Sequence, residues 1–335
     1  MSERVAIVGD GQMGLVLASV LAERGVSCSL SGPFPAEITE LAVTRISARM
    51  PGLTLPAQVS VEPDPAAALR GATIVVSAIP TQFIRTVWAN FASALPPGAP
   101  IVSVAKGFES GSHRLPSEIL REAIGPRAVT STVALTGPTI AAELARRLPA
   151  TMLAASLDAD AAERVQRAFS TPWLRIYTHD DPIGAEVAGA LKNVIALAAG
   201  MIDGLALGYN AKSALLARGL VEMVRIGAAL GAKAETFFGI AGVGDLATTC
   251  FSPEGRNRAC GEAIGRGVTL EAHLAQTRSV VEGVETARSV RQLAHERGVE
   301  IPITDAVCRI LFEGLPPADA IRALMTREAK AERIT

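Results

Sequence analysis

Apolar and polar positions change period about halfway along the chain. Val5-Ala6-Ile7-Val8 is an apolar run of strand-forming residues, and Leu15, Ala18, Leu21 and Ala22 follow at helical spacing. Gly25 closes that helix, and residues 26–30 predict the next strand. The alternation continues: a helix at 36–49, a loop with a short strand at 51–56, a strand at 59–61, a short helix at 65–69 and a buried strand at 73–79 ended by Pro80. A helix at 82–95 stops at Pro96-Pro97-Gly98, with a strand at 100–104 and a helix at 116–124 beyond it. A strand at 128–135, a turn at 136–139, a helix at 140–147, and strands at 151–156 and 174–177 around a helix at 158–169 complete this half. Strands alternating with helices predict an α/β domain with a parallel sheet.

From Gly184 onward the strand pattern vanishes. Helical spacing runs through 185–201, 212–230, 234–239, 256–265, 269–276, 283–297, 303–312 and 316–327, which predicts an all-α second domain. The expected boundaries are 1–182 and 183–335, with a charged tail at 327–335 that frays. Residues 183–207 are strongly apolar but carry Glu186, Lys192, Asn193 and Asp203, so they predict a buried helix and no membrane span.

The first strand meets the first helix through Gly9-Asp10-Gly11-Gln12-Met13-Gly14, a Gly-x-Gly-x-x-Gly turn in strand–turn–helix context. This is the fingerprint of a Rossmann-type dinucleotide-binding domain. Gly9 makes the tight turn, Gly11 lets backbone approach a pyrophosphate, and Gly14 lets helix and strand pack closely. The helix N-terminus offers free N–H groups to the phosphates.

Composition narrows the classes further. The chain has 335 residues, is 49% hydrophobic and carries a net charge of −1, so no global basic field points to nucleic acid. Cys28, Cys250, Cys260 and Cys308 are scattered without a Cys-x-x-Cys pair, which fits a reducing cytoplasm. His113, His179, His273 and His295 lack ligand spacing, and no metal is expected. No signal peptide is expected ahead of the first strand.

Lys192 lies in the apolar stretch 185–195 beside Asn193. Burial lowers a lysine's pKa and makes it an acid/base near neutrality. Alone, such a lysine also fits a snorkelling surface residue; behind a dinucleotide turn the acid/base reading is favoured. Asp245 follows Gly242-Val243-Gly244 and reads either as part of a polar site or as the N-cap of the next helix. Arg256-Asn257 places a guanidinium fork suited to phosphate beside an amide, or simply starts a solvated helix.

Many ordered stretches together resemble the bacterial NAD(P)-dependent sn-glycerol-3-phosphate dehydrogenase family from about Val5 to about Met325. They include the glycine turn, Ile79-Pro80-Thr81-Gln82, Ala105-Lys106-Gly107-Phe108-Glu109, Leu135-Thr136-Gly137-Pro138-Thr139, Ala190-Leu191-Lys192-Asn193-Val194, Gly208-Tyr209-Asn210-Ala211-Lys212, Gly242-Val243-Gly244-Asp245, Gly255-Arg256-Asn257-Arg258 and Val280-Val281-Glu282-Gly283. The resemblance implies a Rossmann-type domain followed by an all-α domain, the two-domain architecture of 6-phosphogluconate dehydrogenases. It implies hydride transfer between NAD or NADP and dihydroxyacetone phosphate or glycerol 3-phosphate, in the cytoplasm. Helical second domains of this architecture often pair, which makes a homodimer a candidate assembly, but no apolar stripe in the sequence decides it.

By the same resemblance Lys192 is the general acid/base, Asp245 positions it or the substrate, and Lys106 lies near substrate and nicotinamide. Gly9, Gly11, Gln12, Met13, Gly14, Lys106, Ala141, Arg256, Val280 and Glu282 contact the cofactor. Lys106, Gly137, Thr139, Lys192, Asp245, Gly255, Arg256 and Asn257 contact the substrate. The chain departs from the family at three places. Gly255 replaces a small polar residue and removes one substrate hydrogen bond, and Met13 replaces an aromatic and loosens a cover over the site. Ser31-Gly32-Pro33 ends the second strand with neither the acid that favours NAD nor the arginine that favours NADP, which leaves the preference open and leaning to dual use. A β-hydroxyacid or 6-phosphogluconate dehydrogenase shares the Lys-Asn helix, but the Gly137-Pro138-Thr139 loop and Arg256-Asn257 argue against it. A cofactor-binding protein without turnover is opposed by Lys106, Lys192, Asp245 and Arg256 standing together.

Overall fold

Side chains along the strands alternate between two buried faces. In the computed structural model, which describes residues 3–125, 131–277, 280–329 and 331–332, the strands are β1 (Arg4–Val8), β2 (Ser27–Ser31), β3 (Val59–Val61), β4 (Ile74–Ser77), β5 (Ile101–Ser103), β6 (Thr132–Thr136), β7 (Ala150–Ala155) and β8 (Leu174–His179). They form one sheet in the order β3-β2-β1-β4-β5-β6-β7-β8. Between them run α1 (Gln12–Glu23), α2 (Pro35–Thr44), α3 (Pro65–Leu69), α4 (Ile84–Phe91), α5 (Pro116–Ile124), α6 (Ala141–Ala145) and α7 (Ala159–Phe169). Val5, Ile7, Ile74 and Val76 join a core with α1 and α7, while Ala6, Val8 and Val75 join a second core with α4 and α5. Period-two alternation into two apolar layers is what a sheet covered on both faces requires.

The expected parallel sheet holds from β3 to β6 and reverses once: β7 runs antiparallel to β6. A parallel return needs a long crossover, and the chain between β6 and β7 carries only the five-residue α6. Other differences are local. The predicted helix at 36–49 ends as α2 at Thr44, because Arg45 takes a left-handed φ of 61°. The predicted helix at 82–95 divides into α4 and a 3-10 turn at each end. The short strand expected within 51–56 is a single bridge, Ile46 to Thr54. Residues 128–130 of the predicted sixth strand, and 330 and 333–335 of the tail, lie outside the described residues.

Packing divides the chain into two compact units, Met1–Ala105 with Pro116–Pro182, and Lys106–Leu115 with Ile183–Thr335. Lys106–Leu115 lies inside the first stretch in sequence but packs with the second unit. That unit contains α8 (Pro182–Gly204), α9 (Gly208–Ala229), α10 (Asp245–Phe251), α11 (Arg256–Gly265), α12 (Leu270–Gln276), α13 (Glu282–Arg297), α14 (Pro302–Glu313) and α15 (Pro317–Met325). The predicted helix at 234–239 is a 3-10 turn, Ala234–Phe238. Among the described residues α8 is the helix long and apolar enough to cross a membrane, and 94% of its apolar window is buried inside the protein, as in a core helix.

Glycines bring α8 and α11 together. A Cβ on Gly200 would lie 1.9 Å from the Arg258 carbonyl oxygen, and one on Gly261 would lie 1.9 Å from that of Leu197. Backbone therefore packs on backbone, and no side chain fits at the crossing. Gly261→Val is expected to cost about 3 kcal/mol or more of stability. Thermal unfolding reads this directly; an unchanged melting temperature would contradict the close approach.

Candidate active site

In the first unit the glycine turn has the geometry its spacing predicts. Gly9 takes a φ of 123°, and a Cβ there would lie 2.4 Å from the Ala78 carbonyl oxygen, so the turn closes against the end of β4. A Cβ on Gly14 would lie 1.9 Å from the Gly9 carbonyl oxygen, which seats α1 tightly on the turn. Gly11 differs from both: nothing lies within 4 Å of a Cβ built on it. Gly11 is also the N-cap of α1 and supplies no side-chain bond to the helix. The helix therefore presents its first N–H groups above an open cradle, suited to a pyrophosphate. Gln12 is exposed at the first helical position, and Met13 is half-buried and packs on the core beneath α1.

Because β1, β4, β5 and β6 are parallel, the stretch after β6 lies at the same carboxyl edge of the sheet. Gly137 turns there with a φ of 139°, and the Thr139 hydroxyl donates to the Gly137 carbonyl at 3.0 Å. Ala141 begins α6 and is half-buried.

The second unit gathers the ionisable residues. Lys192 Nζ on α8 lies 2.8 Å from Asp245 Oδ1, and Lys106 Nζ lies 2.8 Å from Asp245 Oδ2. One carboxylate thus holds two ammonium groups. Asp245 is 1% exposed and Lys192 6% exposed. Burial pushes the Lys192 amine down to about 8; Asp245 opposes that shift and the Lys106 charge adds to it. The local charge is one unit positive, with its titrating member near neutrality.

Asp245 reaches this position through a backbone device absent from the sequence reading. A π turn, Ile240–Gly244, precedes α10, and the N-cap is Gly244. Asp245 is the first helical residue, and both its carboxylate oxygens serve lysines instead of capping the helix. Turns of this kind are frequent at functional sites. One helical turn on, the Thr249 hydroxyl accepts from Lys192 Nζ at 2.6 Å and donates to the Asp245 carbonyl at 2.7 Å. Thr249 was missed in the sequence, although its four-residue spacing from Asp245 places both on one helix face.

A line of amides fixes the lysine helix. The Gly283 N–H donates to Asn257 Oδ1, Asn257 Nδ2 donates to Asn193 Oδ1, and Asn193 Nδ2 donates to the Lys106 carbonyl, each at 2.9 Å. Four parts of the chain are tied in one direction: α13, α11, α8 and the Lys106 segment. Asn257 is buried, and its amide oxygen and one N–H are committed within the protein. Arg256 is exposed at the first position of α11 and donates to the Val280 carbonyl at 3.1 Å. Gly255 is the N-cap of that helix; a Cβ there would lie 3.1 Å from the Thr249 carbonyl oxygen, so the turn is tight for a serine. Glu282 begins α13 and is half-buried.

A doubly wound sheet with an open glycine cradle, continued by a helical unit holding a carboxylate-bound lysine of lowered pKa, defines a pyridine-nucleotide-dependent oxidoreductase. Comparison with known proteins narrows the class. Residues 4–162 match the family described as NAD-dependent glycerol-3-phosphate dehydrogenase N-terminus, and residues 181–322 match its C-terminus. The chain belongs to this glycerol-3-phosphate dehydrogenase family. It is 40% identical to glycerol-3-phosphate dehydrogenase [NAD(P)+] of Geobacter metallireducens, covering 99% of this chain and 100% of that one. It is 42% identical to the protein of the same description from Thermobifida fusca, covering 98% of each. Among solved structures it resembles glycerol-3-phosphate dehydrogenase from Coxiella burnetii with a TM-score of 0.92 at 32% identity, over 97% of this chain and 99% of that one.

Proposed function

We propose that this chain catalyses reversible hydride transfer between a pyridine nucleotide and the dihydroxyacetone phosphate/glycerol 3-phosphate pair, supplying the backbone of glycerophospholipids. The observation that carries the reading is Lys192, buried against Asp245 with its amine brought down to about 8. Ketone reduction places alkoxide-like charge on the C2 oxygen. An ammonium at that oxygen stabilises the charge and delivers the proton, and in the reverse direction the neutral amine takes it back. Asp245 and Thr249 hold the amine in place, and the Lys106 ammonium adds positive charge beside the same carboxylate. Arg256 binds the substrate phosphate through its guanidinium fork, while Asn257 keeps Asn193 and the lysine helix oriented.

The nucleotide phosphates fit the open space at Gly11 and the uncapped start of α1. A nicotinamide held there would supply the hydride for C2 in one direction and take it in the other. Gly9, Gln12, Met13, Gly14, Lys106, Ala141, Arg256, Val280 and Glu282 are assigned the remaining cofactor contacts, and Gly137, Thr139 and Gly255 approach the substrate through backbone. In this reading residues 1–182 hold the nucleotide, except that Lys106–Leu115 acts with the catalytic residues of 183–335. The four free cysteines suit a cytoplasmic enzyme. A homodimer is part of the same proposal, and sedimentation reads its mass.

The test adds the full chain to dihydroxyacetone phosphate with NADH or NADPH and follows nicotinamide absorbance. Oxidation matched by glycerol 3-phosphate is the expected result. No oxidation with either coenzyme would overturn the reading.

A further inference from the structure

The sheet edge that takes a nucleotide has an unusual occupant at its adenosine end. In dinucleotide-binding folds an acid about twenty residues after the glycine motif, at the end of the second strand, accepts from the ribose 2′-hydroxyl, and an arginine nearby accommodates a 2′-phosphate. Here that position is Gly32, just beyond β2, and no side chain can start from it. A Cβ on Gly32 would lie 2.5 Å from Asp10 Oδ1 and 2.9 Å from Ile38 Cδ1. The carboxylate of Asp10, from the glycine turn itself, fills the space where a strand-borne side chain would begin. Val8 and Ser31 are register partners, so Asp10 and Gly32 lie at the ends of adjacent parallel strands.

Asp10 is 5% exposed. Its Oδ2 accepts from Arg49 Nε at 3.2 Å, and among the described residues no donor bonds Oδ1. Arg49 arrives from beyond α2 and is engaged on three sides: Asp10, Glu37 in the first turn of α2, and the Phe34 ring 5.7 Å from its Cζ. Two carboxylates flank one guanidinium, so the group carries a net negative charge. A ribose diol meets an acceptor there; a 2′-phosphate dianion meets two carboxylates and an arginine whose charge they already offset.

We propose that Asp10, held by Arg49, accepts from the adenosine ribose hydroxyls and that the Asp10–Arg49–Glu37 group selects NADH over NADPH. The inference rests on the nucleotide site proposed above and assigns its coenzyme.

The test titrates the full chain, by calorimetry, with ADP-ribose and with 2′-phospho-ADP-ribose, and measures kcat/KM for NADH and NADPH in parallel. The unphosphorylated ligand is expected to bind at least tenfold more tightly. Asp10→Asn is expected to weaken ADP-ribose about tenfold, the scale of one hydrogen bond to a charged group, and to narrow the gap between the two ligands. Glu37→Gln removes one of the two carboxylates that flank Arg49 and tests the charge: it is expected to improve binding of the phosphorylated ligand several-fold relative to ADP-ribose, and an unchanged ratio between the two ligands would overturn the role of that charge. Equal or tighter binding of 2′-phospho-ADP-ribose by the unaltered chain would overturn the selection of NADH while leaving the nucleotide site standing. No binding of either ligand would overturn both.

Discussion

Lys192→Met is expected to lower kcat for ketone reduction by about 10³-fold or more, roughly 4 kcal/mol of transition-state stabilisation at 1.36 kcal/mol per decade. The size follows from the amine's two duties, proton donation and stabilisation of the oxygen charge that builds as hydride arrives. The fold is expected to survive. Methionine matches the lysine stem, and Asp245 keeps the Lys106 ammonium at 2.8 Å, so no buried carboxylate is left without a cation. Nucleotide binding, read by fluorescence, is expected to be unchanged because the glycine cradle is untouched. A kcat within tenfold of the unaltered enzyme would remove Lys192 from the chemistry.

Asp245→Ala is expected to have the largest combined effect on stability and rate. The carboxylate is 1% exposed and holds both Lys192 and Lys106, so its loss leaves two ammonium groups together without their shared anion. Removing one partner from a buried ion pair costs about 3–5 kcal/mol. The attraction of Asp245 raises the Lys192 pKa against the effect of burial. Without it the pKa falls further, and at a given pH the amine holds less of the proton that reduction requires. Chemical denaturation reads the first effect, and the pH dependence of reduction reads the second as an acid-ward shift. Asp245→Glu, which keeps the charge, is expected to restore part of both. A variant that melts and turns over like the parent would leave the carboxylate without either role.

The legible features were those written in a few adjacent residues. The β1–turn–α1 unit needs only an apolar run, three glycines and a helical repeat, and the structure has it at Gly9, Gly11 and Gly14. Helix α11 matches its predicted span because its apolar spacing and its start are both local. Features set by distant partners were not legible. Strand direction at β7 depends on which edge is open when the chain returns, and nothing in its alternation encodes that. The packing of Lys106–Leu115 with the second unit joins residues far apart in sequence. Asn193 stood out as a neighbour of Lys192, but its link through Asn257 to the Gly283 N–H exists only once three helices meet. Asp245 read equally well as an N-cap because the π turn ahead of it has no distinct sequence sign. The end of β2 was illegible for a related reason: the carboxylate beside Gly32 belongs to β1's turn.

If the Lys192 amine carries the proton, the pH dependence of turnover bends in opposite senses in the two directions. With the amine at about 8, ketone reduction needs the ammonium: its rate is expected to be level below that pH and to fall about tenfold per unit above it. Alcohol oxidation needs the neutral amine, so its rate is expected to climb to a plateau above the same point. Rates that stay flat through that region in both directions, or that bend in the same sense, would contradict the account.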